Sequence, residues 1–211
     1  TVGSTVEEEQ APSASARIVL RNKKALEQVQ ICLGVPAPPI TDDNRYTTLI
    51  LNTVLGGGMS SRLFQTIREE RGMAYSIYSD LSPYRDTGAL CVYAGTSAGK
   101  TLEMIDLVLV EFRKLKEEPL SDEELTRAKD QLKGNILMGL ESSNSRMANL
   151  ARQELYFQQF FTAEEIIAWI DAVTAEQIQT MAQNLFNIDR IAVTLLGRLD
   201  GIKLNRKRLV C

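Results

Sequence analysis

Histidine is absent from this 211-residue sequence. Imidazole is the commonest metal ligand, so the chain cannot build the usual nitrogen-rich catalytic zinc site by itself. Cysteine is scarce, limited to Cys32, Cys91 and Cys211. An odd count at wide spacing gives neither a disulfide framework nor a Cys-x-x-Cys knuckle, and favours a reducing compartment while leaving a periplasm open. No apolar run approaches the ~18 residues of a membrane span, so no membrane partner is expected. The N-terminus lacks the basic segment and apolar stretch of a secretory leader. A start at Thr1 and not at methionine is expected of a processed product or an expressed fragment. Excess positive charge is missing too: the net charge is −3 and the pI about 5.2, so no nucleic-acid partner is expected. What is present is ordinary for a globular domain, with 44% hydrophobic and 24% charged residues.

The first sixteen residues, Thr1 to Ala16, are small, polar and acidic without a period, and read as a linker from an upstream half. Residues 17–211 read as a single domain. Strands are expected over Arg17–Arg21 and Gln28–Val35, the second ended by Pro36, Pro38 and Pro39. Asp42 and Asp43 open a helix that Gly56-Gly57-Gly58 stops. Ser60 or Ser61 is expected to cap a short helix carrying Leu63, Phe64 and Ile67, closed by Gly72. Ala74–Leu81 and Gly88–Ala94 read as a hairpin, which makes this part of the sheet antiparallel. The pattern is helical from Lys100 to Phe186, with capping boxes at Ser121–Glu124, Thr162–Glu165 and Thr174–Gln177. A last strand runs over Arg190–Leu196, and the basic run Lys203–Arg208 reads as a solvated end. The class is α+β: a mostly antiparallel sheet with helices packed on one face.

One motif invites a wrong conclusion. Ala94-Gly-Thr-Ser-Ala-Gly-Lys100-Thr101 fits a loose phosphate-loop pattern, with Lys100 for the phosphates and Thr101 for Mg²⁺. It lacks the first glycine, follows one arm of a hairpin, and has no second apolar strand ending in a metal-binding aspartate. A small-residue turn between strand and helix explains it better than nucleotide binding.

The functional argument rests on Leu55-Gly-Gly-Gly-Met-Ser-Ser-Arg-Leu-Phe-Gln-Thr-Ile-Arg68-Glu-Glu-Arg-Gly72-Met-Ala-Tyr75-Ser. Gly56, Gly57 and Gly58 permit backbone angles closed to other residues and can act as a flexible loop. Arg68 falls in the last turn before Gly72, and Tyr75 opens the next strand. A guanidinium and a phenol, both donors, can converge at that corner on a peptide carbonyl or its oxyanion. Spacing alone favours the plainer arrangement, in which Arg68 pairs with Glu69, Glu70 or another surface acid while Tyr75 packs.

This segment resembles the C-terminal half of the pitrilysin/insulinase family of zinc endopeptidases. Within the family it is most similar to the bacterial branch related to the mitochondrial processing peptidase. Supporting segments are Leu26–Gln28, Tyr84–Gly88, Tyr93–Thr96, Gln131–Gly134, Ser145–Leu155 and Ile170–Thr174, in order from about Leu26 to Leu196. The resemblance implies one half of the processing-peptidase fold, a hydrolase of two similar halves closing around a chamber. Zinc is then bound by the absent N-terminal half, through an inverted H-x-x-E-H motif and a distant glutamate. None is expected in this chain, which alone would be inactive.

The implied partners are that zinc-bearing half, in the same polypeptide or a separate subunit, and a peptide substrate; a dimer is a further assembly to consider. The location expected from the unpaired cysteines is the bacterial cytoplasm, with a periplasm left open. Zinc on the other half would polarise a peptide carbonyl and activate water, while Arg68 and Tyr75, seven residues apart, hold the substrate and its transition state by hydrogen bonds. The alternative within the same fold is a non-catalytic partner or scaffold subunit.

Overall fold

The computed structural model describes residues 12–199 and 201–211. Residues 1–11 of the expected linker lie outside that range, and residues 12–16 have no regular secondary structure. The strands are β1 (Ile18–Asn22), β2 (Val29–Ala37), β3 (Ile77–Pro83), β4 (Gly88–Thr96) and β5 (Ala192–Gly197). They form one five-stranded sheet in the order β1-β5-β2-β4-β3. β1 runs parallel to β5, and every other neighbouring pair is antiparallel.

Period-two alternation decides which face is dry. In β2, Val29, Ile31, Leu33, Val35 and Ala37 are buried, and in β4 Leu90, Val92, Ala94 and Thr96 are buried. Their alternates, Gln30, Cys32, Ala89, Cys91 and Tyr93 among them, lie on the open face. The dry face is covered by α1 (Arg45–Gly56), α2 (Thr101–Glu117) and α6 (Ala175–Leu185), with α3 (Asp122–Glu141), α4 (Ser143–Phe157) and α5 (Ala163–Ala172) packed outside. Phe112 and Phe186 stack between α2 and the residue that ends α6, with ring centroids 3.9 Å apart.

Several sequence expectations are corrected. Pro36 lies inside β2 and does not end it, opposite Ala89 of β4. β5 stops pairing at Gly34, so Pro36 has a neighbour on one side only and its missing N–H leaves no gap in the ladder. Ser121 caps α3 through the Glu124 N–H, but the reciprocal half of the box is missing. The Glu124 carboxylate is drawn instead to Arg62, at 2.7 and 2.8 Å. The boxes at Thr162 and Thr174 are complete. The basic tail is docked, not solvated. Leu209 is fully buried, Arg208 makes a two-pronged ion pair with Asp106 of α2, and Arg206 donates to the carbonyls of Ala16, Ile188 and Ile191.

Candidate functional site

The site is built at the corner between α1 and β3. α1 turns Ile50, Leu51, Val54 and Leu55 into the core and ends on Gly56. A Cβ there would lie 2.4 Å from the Ser79 backbone nitrogen, so only glycine lets the helix end approach β3 this closely. Gln131 of α3 then clamps the run. Its Nε2 donates to the Gly57 carbonyl at 3.0 Å, and its Oε1 accepts from Ser60 at 3.3 Å. The triglycine thus serves close packing, and the left-handed angles it permits are not used. Among the described residues, positive φ at glycine occurs at Gly72, Gly197 and Gly201.

Phe64–Glu69 forms a π-helix, a wide turn found often at functional sites. Neither serine caps it. The Ser61 hydroxyl is directed back onto the Gly58 carbonyl, and Ser60 is held by Gln131. Gly72 closes the turn with φ +56°, its N–H on the Arg68 carbonyl and the Met73 N–H on that of Ile67. This is the Schellman closure one residue wider, as the π geometry requires. Met73 and Ala74 then plunge into the core, and buried Thr96 donates its hydroxyl to the Met73 carbonyl at 2.8 Å. The chain between these anchors points Tyr75 outward, 83% exposed. Tyr75 lies at this bend and not at the start of a strand, since β3 begins at Ile77.

The structure does bring Arg68 and Tyr75 together. The guanidinium sits 4.7 Å from the centre of the Phe64 ring and 5.4 Å from that of Tyr75. Cation–π contact on both rings orients a planar fork while leaving its N–H groups free to donate sideways. The acid partner allowed by spacing is present but loose: Arg68 approaches Glu69 at 3.9 Å, with both side chains exposed to solvent. Such a pair contributes about 0–1 kcal/mol. Phe64 was legible only as an apolar position; its i, i+4 spacing to Arg68 was the available signal. Gln131 gave no signal of its clamping role.

Two open cavities flank this ridge. One, of about 390 Å³, is lined by Gly56, Gly57, Gly58, Phe64, Arg68 and Tyr78. The other, of about 440 Å³, lies over the open sheet face and is lined by Gln28, Gln30, Cys32, Tyr75, Tyr78 and Tyr93. Neither cavity has an aspartate or glutamate in its lining. The walls offer amides, hydroxyls, aromatic faces and one guanidinium, which suits neutral backbone carbonyls or a developing oxyanion.

Other chemistry finds no support here. Among the described residues no three His, Cys, Asp or Glu side chains converge to hold a metal. Thr101, the would-be magnesium ligand, is fully buried and donates to the Ser97 carbonyl at 3.1 Å, as a residue in a plain strand-to-helix turn would. Among the described residues no helix is long and apolar enough to cross a membrane.

Comparison with known proteins gives concordant findings. The family model described as "Peptidase M16 inactive domain" matches residues 4–132. An uncharacterized zinc protease of Bacillus subtilis is 39% identical over 170 residues, covering 81% of this chain and 42% of that protein. A second, from Mycobacterium leprae, is 39% identical over 175 residues, covering 83% and 39%. This chain thus spans well under half the length of these relatives. A crystal structure of a peptidase M16 inactive domain from Pseudomonas fluorescens superposes with a TM-score of 0.79 at 23% identity, over 89% of this chain and 45% of that one. At that identity the superposition shows the fold alone.

Proposed function

The chain belongs to the peptidase M16 family, matching its inactive-domain type, and we propose that it is the substrate-holding C-terminal half of a zinc metalloendopeptidase. The metal would be carried by a separate N-terminal half, as the names of the relatives and the residues of this chain together suggest. No step through that metal is derived from residues of this chain.

The observation that supports the reading best is the Arg68–Tyr75 ridge. A guanidinium held by two aromatic rings stands beside an outward-facing phenol, between two acid-free cavities. On this reading a peptide lies along the ridge. Arg68 and Tyr75 donate hydrogen bonds to its backbone carbonyl, and these strengthen as negative charge develops on the oxygen. Tyr78 and the amides of Gln28 and Gln30 line the space left for the peptide's side chains.

The test is cleavage of a quenched fluorescent peptide library by the full-length protein carrying both halves. Tyr75→Phe removes one hydroxyl from an exposed ring, so the melting temperature should hold. Removing one oxyanion donor typically costs ~10²–10³ in kcat; a loss of at least roughly tenfold in kcat/KM is expected for Tyr75→Phe and for Arg68→Ala. The double variant should fall short of the product of the singles, because groups acting as a unit are non-additive. Undiminished cleavage by the double variant would return the pair to a surface ion pair and a packed ring, whereas no cleavage by the wild-type protein would favour the scaffold alternative.

A further inference from the structure

A further cavity, of about 330 Å³, opens among the helices. It shares no lining residue with the two cavities that flank the ridge. Its floor is apolar, with Leu49 of α1, Ile136 and Leu140 of α3 and Ile166 of α5. Its polar rim comes largely from one face of α4, where Asn149, Arg152 and Gln153 stand at i, i+3 and i+4. Arg45, the first residue of α1, adds a second cation. No aspartate or glutamate lines the cavity.

The half-buried Arg45 guanidinium is boxed by four rings. The centroids of Tyr46, Phe157, Trp169 and Phe161 lie 4.7, 5.1, 5.3 and 5.8 Å from its central carbon. The rings brace one another edge to face, Phe157 on Phe161 at 5.2 Å and Phe161 on Trp169 at 5.0 Å. Rings attract a guanidinium without accepting its in-plane N–H groups, so most of those remain for an acceptor. One Nη1 donates to the Asp42 carbonyl at 3.2 Å, while the Asp42 carboxylate is engaged by the Asn44 N–H at 2.7 Å. Neither Arg45 nor Arg152 forms an ion pair among the described residues. A half-buried cation without a counter-ion is costly, and an anion in the cavity would offset that cost.

Gln153 supplies an independent pointer. The residue is 5% exposed, and its Oε1 accepts from the Phe161 N–H at 2.9 Å, which fixes the orientation of the amide. Its Nε2 makes no hydrogen bond within the protein. Among the described residues no fully buried side-chain nitrogen or oxygen lacks a partner, so this Nε2 faces open space, and the space Gln153 lines is this cavity.

We propose that the cavity binds a small amphipathic carboxylate. Arg45, Arg152 and the Gln153 Nε2 hold the carboxylate, and an aromatic or branched apolar group packs against Leu49, Ile136 and Phe157. Two cations and a buried amide donor without an acid select the negative end. The apolar floor selects against a wholly hydrophilic anion, which would lose its hydration there without compensation. The volume lies at the lower end of the ~300–1,000 Å³ of small-molecule sites, which suits one aromatic acid. A free apolar acid and the C-terminal residue of a peptide both offer this chemistry. None of these residues lies on the Arg68–Tyr75 ridge, so the site stands apart from the peptidase reading.

The test is calorimetric titration of the intact chain with hydrocinnamate, its neutral amide, acetate and acetyl-phenylalanine. Trp169, the single tryptophan, gives a fluorescence reading in parallel. Hydrocinnamate should bind with a Kd on the order of 1 mM or below, as expected of a ligand of its size. The amide should bind at least about tenfold more weakly, because the charge-assisted hydrogen bonds are lost. Acetate, which has no group for the apolar floor, should not bind measurably. Arg152→Gln changes an exposed side chain with no ion pair, so the fold should hold while hydrocinnamate weakens roughly three- to tenfold. Gln153→Glu keeps an acceptor for the Phe161 N–H but replaces the free donor with a like charge, and should abolish binding. A tighter Kd for acetyl-phenylalanine than for hydrocinnamate assigns the site to peptide C-termini, and a weaker one assigns it to free acids; both support the site. The proposal is overturned if hydrocinnamate shows no saturable binding, if the amide or acetate binds as well, or if Arg152→Gln binds like the wild type. The comparison of acid with amide on the wild-type chain decides even if Gln153→Glu folds poorly.

Discussion

At the scale of single residues, the site depends on two glycines used for different reasons. Gly56 is needed for space: an added Cβ meets backbone of β3 at 2.4 Å and the Ser79 hydroxyl at 2.6 Å. Gly72 is needed for its angle: φ is +56°, and a Cβ there would meet nothing within 4 Å. Gly56→Ala should therefore behave as overpacking and cost about 1–3 kcal/mol. It should also displace the corner that carries Arg68 and Tyr75. Gly72→Ala should cost about 1–2 kcal/mol through the left-handed backbone alone. Urea melts should show both losses, and a neutral Gly56→Ala would refute the close-approach account. The Arg68 and Tyr75 substitutions belong to this scale as well, because their effect is confined to donors at the ridge.

At the scale of elements, helix starts carry local stability that can be read residue by residue. Thr162 and Thr174 each close a complete capping box, with Glu165 and Gln177 reaching back. Thr162→Ala and Thr174→Ala should each cost ~1 kcal/mol, seen as a lower denaturation midpoint with an unchanged slope. α3 differs, because Glu124 leaves its own helix start to bind Arg62, which packs it against the π-helix segment. Burial works to lower the Arg62 pKa, and the Glu124 carboxylate, together with Glu111 and Glu118, more than offsets this, leaving it raised. Glu124→Gln should keep the helix cap, since Ser121 still accepts from the residue-124 N–H. It should instead loosen the segment bearing Arg68, read as faster hydrogen exchange over residues 62–69 than over α3. Equal exchange in both would show that the ion pair holds nothing in place.

At the scale of the molecule, the proposed reading predicts that this chain, which covers 42% of the B. subtilis relative, needs a second half to act. The dialysed 211-residue chain should hold well under one zinc per molecule by elemental analysis, because its described residues offer no converging ligand set. Adding a separately produced half with an intact H-x-x-E-H motif should yield peptide cleavage, and the Tyr75→Phe chain should restore much less. Full cleavage by the zinc half alone would remove this chain from the reaction. Stoichiometric zinc in the isolated chain would overturn its assignment as the metal-free half.

Much of this organisation was legible in the amino-acid order. Alternation in β2 and β4, the glycine stop after α1, the hairpin of β3 and β4 and the Thr162 and Thr174 boxes are local patterns, set by side-chain periodicity and by groups three or four residues apart. The seven-residue interval from Arg68 to Tyr75 was visible as well. What the sequence could not supply were contacts between residues far apart in the chain. Glu124 is taken from its capping box by Arg62, 62 residues away, and Gln131 crosses from α3 to clamp Gly57, 74 residues away. The basic tail docks on α2, and Pro36 stays in its strand because β5 begins only at Ala192, opposite Gly34. Cys32 and Cys91 become neighbours through the pairing of β2 with β4. Local hydrogen bonds compete within a few residues and leave a signature there. A long-range contact depends on which surfaces the packed core brings together, and only the tertiary structure decides that.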